Sequence, residues 1–170
     1  KGSQAPSARA QQMLDLMVGA LHDPFQVIHM GLTAENVAEQ FGISRQQMDE
    51  LAVESHRSAS AAIAAGRFKE QIVPVMVKSK KGEVAFEVDE HVKASTNMES
   101  LAKMRPAFKK DGAVTAGNAS GINDGAGAVV LASGEAVKAQ GLKPIARLVG
   151  YAHAGVEPSI MGIGPVPATR

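Results

Sequence analysis

The spacing of apolar and polar residues divides the chain into helical and extended stretches. Between Ala8 and Leu21 the apolar positions Met13, Leu14, Met17, Val18 and Leu21 recur at three and four, one face of a helix that Pro24 ends. Thr33 to Phe41 predicts a short helix with Thr33 as N-cap and Gly42 just past its end. Ser44 opens a longer one, because Gln47 three residues on completes a capping box and Gly66 supplies the stop. Met48, Leu51, Ala52, Ser55, Ala59 and Ala62 give that helix a face of mostly small residues that permits close packing. The period then changes. Ile72–Val77 and Val84–Val88, separated by Ser79–Gly82, predict a β-hairpin whose first strand Pro74 confines to a sheet edge. Thr96, with Glu99 three residues later, predicts a short helix to Lys103. Thr115 to Ala128 is built almost wholly of Gly, Ala, Ser, Thr, Asn and Asp. Beyond it a strand at Ala128–Ala132, a helix at Gly134–Gln140 stopped by Gly141, and an alternating strand at Ile145–Tyr151 complete an α/β pattern with mixed strands.

Composition narrows the function classes. At 170 residues with 45% hydrophobic positions, the chain is long enough to bury a core in one domain or in parts of two. Aromatic content is only 4%, so aliphatic residues must fill that core, a mix suited to helices packed on a sheet. No apolar run approaches the roughly 20 residues that cross a bilayer, and Lys1 to Ala10 lacks the apolar stretch of a secretory signal. The expectation is a soluble cytoplasmic protein without a membrane partner. The net charge of +1 arises from 18 basic and 17 acidic residues scattered along the chain, which argues against a nucleic-acid partner. The densest basic patch, Lys78, Lys80 and Lys81, falls in the predicted hairpin turn. With no cysteine, the chain has no disulfide framework, no Cys-ligated zinc and no thiol nucleophile of its own. His22, His56, His91 and His153 share no metal-ligand spacing, so neither a metal nor another cofactor is expected.

The run Thr115-Ala116-Gly117-Asn118-Ala119-Ser120-Gly121-Ile122-Asn123-Asp124-Gly125-Ala126 closely resembles a motif of the thiolase family, the acetyl-CoA C-acyltransferases. His29-Met30-Gly31 followed by Thr33-Ala34-Glu35-Asn36-Val37-Ala38 resembles the family's loop-domain entry. Arg105-Pro106-Ala107-Phe108, and Met161-Gly162 with Gly164-Pro165 and Pro167-Ala168, resemble later thiolase stretches. The resemblance extends from about Met13 to Arg170; residues 1–12 fit it poorly. It implies a longer parent with two similar mixed-sheet halves and a loop domain inserted in the first. Residues 1–119 then correspond to the CoA-binding loop domain, 120–141 to its return into the N-terminal half, and 142–170 to the start of the C-terminal half. The nucleophilic cysteine is implied upstream of Lys1, and the general-base histidine and second cysteine downstream of Arg170. The implied activity is acyl transfer between acyl-CoA and CoA, by 3-ketoacyl-CoA thiolysis or the reverse condensation, in fatty acid metabolism. The implied parent is a homodimer or homotetramer with coenzyme A as substrate. The alternatives are a catalytically inactive CoA-binding fragment and a packing or interaction module.

The same resemblance implies a set of CoA contacts. Ser120 corresponds to a serine whose hydroxyl meets the pantetheine arm, and Ala116 and Gly121 are small enough for a ligand to approach the backbone. On the residues alone, Ser120 could instead cap a helix beginning at Gly121. His29 and Met30 correspond to a pair lining the pantetheine tunnel and acyl pocket; otherwise they read as core packing. Leu21, Phe108 and Met161 match further pocket positions, although apolar residues there are expected to be buried anyway. Lys93 stands where thiolases commonly carry arginine near the adenine and phosphates, keeping the charge but losing the planar face. Ser100 matches a polar contact near the same end.

Overall fold

The computed structural model describes residues 16–80 and 82–170, so Met13, Leu14 and Lys81 lie outside it. The first predicted helix is seen as α1 (Leu16–Ala20), which closes four residues before Pro24, with the Leu21 amide donating to Val18 O. The second, α2 (Met30–Phe41), starts earlier than Thr33. His29, extended at φ −67° and ψ 144°, is its N-cap, and its ring Nδ1 accepts the Gly31 amide at 2.9 Å. Thr33 is therefore inside the helix, where its hydroxyl donates to Met30 O at 2.7 Å and is buried. Gly42 closes α2 in the left-handed region at φ 65°.

Helix α3 (Arg45–Ala64) begins as its sequence predicts. The Ser44 hydroxyl accepts the Gln47 amide, and the Gln47 side chain accepts the Ser44 amide at 2.8 Å. At its far end the Gly66 amide bonds Ile63 O and the Arg67 amide bonds Ala62 O, with Gly66 at φ 68°, a geometry a Cβ would strain. The hairpin follows. Strands β1 (Val75–Ser79) and β2 (Gly82–Phe86) pair antiparallel in the register Val75 to Phe86 and Val77 to Val84. β1 starts just after Pro74, which has no amide to give a ladder. Helix α4 (Met98–Ala102) starts one residue later than predicted. Its cap is Asn97, and Ser100 in place of Glu99 completes the reciprocal box.

Helix α5 (Gly134–Gln140) keeps its predicted bounds, capped by the Ser133 hydroxyl and closed by Gly141 at φ 61°. A 3-10 turn at Pro158–Ile163 packs on α2, where Asn36 Nδ2 donates to Ser159 O at 3.0 Å, and α6 (Pro165–Thr169) follows it.

Two predicted strands are corrected, and so is the alternative reading of Ser120 as a helix cap. Residues 128–132 and 145–151 join no ladder, and no helix begins at Gly121, so Ser120 caps nothing. The reason is that a strand exists only with a hydrogen-bonded neighbour. Among the described residues none lies beside these two, and Val130 stands 97% exposed. The buried interior is small and largely polar: Ala38, Leu101 and Val114 are joined there by Thr33, Glu35, Asp49 and Thr115. The described residues form an α/β assembly with one small antiparallel sheet, and they leave apolar surface exposed along 128–151.

Candidate functional site

The glycine-rich stretch from Thr115 has no secondary structure to fix it, so its position depends on side chains from the helices. Glu35 on α2 is buried, and its two carboxylate oxygens accept the amides of Ala113 and Val114 at 2.8 and 2.9 Å. A Cβ on Gly112 would stand 2.2 Å from Glu35 Oε1, which is why the chain needs glycine there. On α3, Asp49 is 2% exposed. Its Oδ2 takes a 2.7 Å bond from Arg45 Nε and its Oδ1 a 2.9 Å bond from Asn118 Nδ2. Arg45 continues to Leu101 O and Met104 O at the end of α4. Gly117 lies against the Leu101 and Met104 side chains, where a Cβ would come within 2.5 Å of Leu101 Cδ2. Thr115 is fully buried, while Ala116, Ser120 and Gly121 face solvent.

A second group forms around the start of α2. The His29 ring stacks on Phe108 at 4.8 Å between centroids and meets the His22 ring edge-on at 5.3 Å. Gly31 lies beneath the Phe108 ring with no room for a Cβ, which would come within 2.3 Å of it. The Met30 amide donates to Leu21 O at 2.7 Å, bringing Leu21 beside the pair. Met30 and Met161 share the walls of a depression of about 370 Å³ with Ala20, Phe25 and Pro158. The Phe108 segment is tied to α2 by Lys109 Nζ and Glu39 Oε2 at 2.9 Å. That hydrogen bond, and then the opposite charge of the partner, hold the Glu39 carboxyl below the usual range and the Lys109 ammonium above its own.

Lys93 and Ser100 are positioned separately. The Lys93 amide donates to His56 Nδ1 on α3 at 3.2 Å, leaving its side chain exposed. Two residues earlier, the His91 ring lies over Gly121, whose Cβ would fall 2.5 Å from His91 Cε1. Ser100 Oγ serves the α4 cap, donating to Asn97 O at 2.8 Å and accepting the Asn97 amide at 3.3 Å.

The structure thus brings Leu21, His29, Met30, Phe108 and Met161 into one neighbourhood, and Ala116, Ser120 and Gly121 into another that borders His91. Sequence reasoning passed over His22 and His91 as structural or exposed, and also passed over Phe25 and the Glu35 and Asp49 clamps. The Arg45 to Asp49 spacing of four was a readable signal for an ion pair. Nothing in the spacing announces Glu35, whose partners are distant in sequence, or the link from Asn118 to Asp49.

The family model described as the thiolase N-terminal domain matches residues 2–135. The chain is 60% identical to beta-ketothiolase BktB of Cupriavidus necator over 159 residues, covering 93% of this chain and 40% of that protein. It is 52% identical to the acetyl-CoA acetyltransferase of Syntrophomonas wolfei over the same coverage. Among solved structures, the Bacillus anthracis acetyl-CoA acetyltransferase superposes with TM-score 0.83 at 53% identity, covering 92% of this chain and 40% of its own. Human mitochondrial 3-ketoacyl-CoA thiolase in complex with CoA superposes with TM-score 0.83 at 47% identity, with 93% and 39% covered. The chain therefore spans about 40% of the length of the relatives it matches. A match of this extent, at these identities and with this fold, means that the chain belongs to the thiolase family.

Proposed function

We propose that the chain supplies the CoA-binding surface of a thiolase that transfers acyl groups between acyl-CoA and CoA. The observation that carries the proposal is the exposed Ser120, presented between small residues immediately after a backbone stretch locked by Asn118, Asp49 and Glu35. A hydroxyl on a fixed backbone can orient one amide of a pantetheine arm, and such remote binding converts into orientation at the reacting carbon. Ala116 and Gly121 leave room for the arm. His29 contributes a directed donor: because Nδ1 accepts the Gly31 amide, its neutral form carries the proton on Nε2. Met30, Met161, Leu21 and Phe108 furnish apolar wall for the arm and acyl group. Lys93 offers a free ammonium to the phosphates. Ser100 keeps one lone pair beyond its cap bonds for the nucleotide end.

In this proposal residues 1–119 form the loop domain, 120–141 return to the N-terminal half and 142–170 begin the C-terminal half. The apolar residues along 128–151 are covered by the remaining sheet. Coenzyme A enters as substrate, with no further cofactor. Among the described residues no helix is long and apolar enough to cross a membrane, and the proposed setting is the cytoplasm, in fatty acid metabolism, as a homodimer or homotetramer.

Ser120→Ala in the full-length enzyme tests the central assignment. Removing one hydrogen bond of about 1 kcal/mol raises KM for CoA about fivefold with the fold intact. An unchanged KM for CoA overturns the assignment.

A further inference from the structure

Helix α3 touches the segments carrying Ser120, Ser100 and Lys93. Near its N-terminus, Arg45 and Asp49 reach the end of α4 and Asn118; further along, His56 accepts the Lys93 amide. The asymmetry lies at Asn118. Its side chain uses Oδ1 to accept the Thr115 amide at 2.8 Å, and Nδ2 to donate to both Asp49 Oδ1 and Ala113 O, at 2.9 and 3.0 Å. From Ala119 to Ala132 the described residues make no hydrogen bond at all. Asn118 is thus the last fixed point before Ser120.

We infer that Asn118, oriented by the Arg45–Asp49 pair, is a positioning residue of the CoA site that sets where Ser120 stands without touching the ligand. The inference rests on the CoA reading above. Its chemistry is specific. Both oxygens of the buried Asp49 face donors, Oδ2 the Arg45 Nε and Oδ1 the carboxamide nitrogen of Asn118. A carboxylate at position 118 would face Asp49 across a hydrogen-bond distance as a like charge, and the turn would open toward solvent. The damage should fall on CoA binding, because the unanchored segment downstream carries Ser120 and Gly121.

The test is steady-state thiolysis of acetoacetyl-CoA by the full-length enzyme, with CoA varied and active sites titrated. Asn118→Asp is expected to raise KM for CoA at least tenfold while kcat per active site stays within about threefold. Exchanging the pair, Asp49→Asn with Asn118→Asp, restores one N–H···O bond between the positions and recovers a large part of the lost affinity. A milder variant, Arg45→Lys, keeps a positive charge beside Asp49 but loses the Nη2 group that bonds both Leu101 O and Met104 O; about a threefold rise in KM is expected. It decides the matter if Asn118→Asp fails to fold. Unchanged KM for CoA in the folded variants, or a loss confined to the number of active sites, overturns the inference and leaves Asn118 a stability residue only. Failure of Ser120→Ala to move KM overturns the CoA reading instead, so the two failures are distinguishable.

Discussion

The isolated 170-residue chain is expected to catalyse no thiolysis of acetoacetyl-CoA above the buffer rate. Thiolysis through a covalent acyl group needs a thiolate nucleophile, a base to activate it and an oxyanion hole for the thioester. The sequence contains no cysteine, so the acyl group has no sulfur to occupy. Removing the nucleophile from an enzyme of this kind costs on the order of a millionfold in rate. The positioning surface can remain while the chemistry is lost, so a CoA-binding but inert fragment is the expected behaviour of this chain alone. The assay is release of acetyl-CoA from acetoacetyl-CoA and CoA with the purified chain at high concentration. Turnover that survives repurification and scales with chain concentration contradicts the assignment of roles proposed above.

Replacing Glu35 by Ala destabilises the site region by about 3–5 kcal/mol, the largest single-residue effect expected outside the catalytic groups. Both carboxylate oxygens of this buried residue accept backbone amides, those of Ala113 and Val114, and no other acceptor replaces them in the described structure. Each buried donor left unsatisfied costs about 1–3 kcal/mol, and the vacated side-chain volume adds to that. Amide hydrogen exchange in the full-length protein reads the effect directly. Val114 is expected to exchange at least a hundredfold faster in the variant, and residues 113–118 to follow it. Glu35→Gln keeps one acceptor oxygen and should lose about half as much. A change below about 1 kcal/mol would show that the loop finds other acceptors and that the clamp does not hold it.

Local chemistry near the chain made much of the architecture readable. Ser44 with Gln47, and the stop at Gly141, act within a few residues and place α3 and α5 where the sequence predicts them, and the hairpin is found too, although its strands run 75–79 and 82–86 rather than 72–77 and 84–88. The misplaced starts have a common cause. His29 caps α2 through a ring nitrogen, and Asn97 caps α4 one residue after the predicted Thr96, so the surrounding backbone decides between neighbouring capping residues. The strands at 128–132 and 145–151 were read from side-chain pattern alone, whereas a ladder needs hydrogen-bonded neighbours, and none stands beside them among the described residues. At the site, the small residues around Ser120 were legible as a place where a ligand can approach backbone. The clamps that fix them were not, because Glu35, Asp49 and Arg45 reach partners more than fifty residues away.

The most direct measurement is a crystal structure of the full-length enzyme with CoA bound. The account predicts the pantetheine arm within hydrogen-bond distance of Ser120 Oγ, passing His29 and Met30, with Asn118 still joined to Asp49. CoA bound elsewhere on the protein, with Ser120 facing solvent or another protein segment, would contradict it.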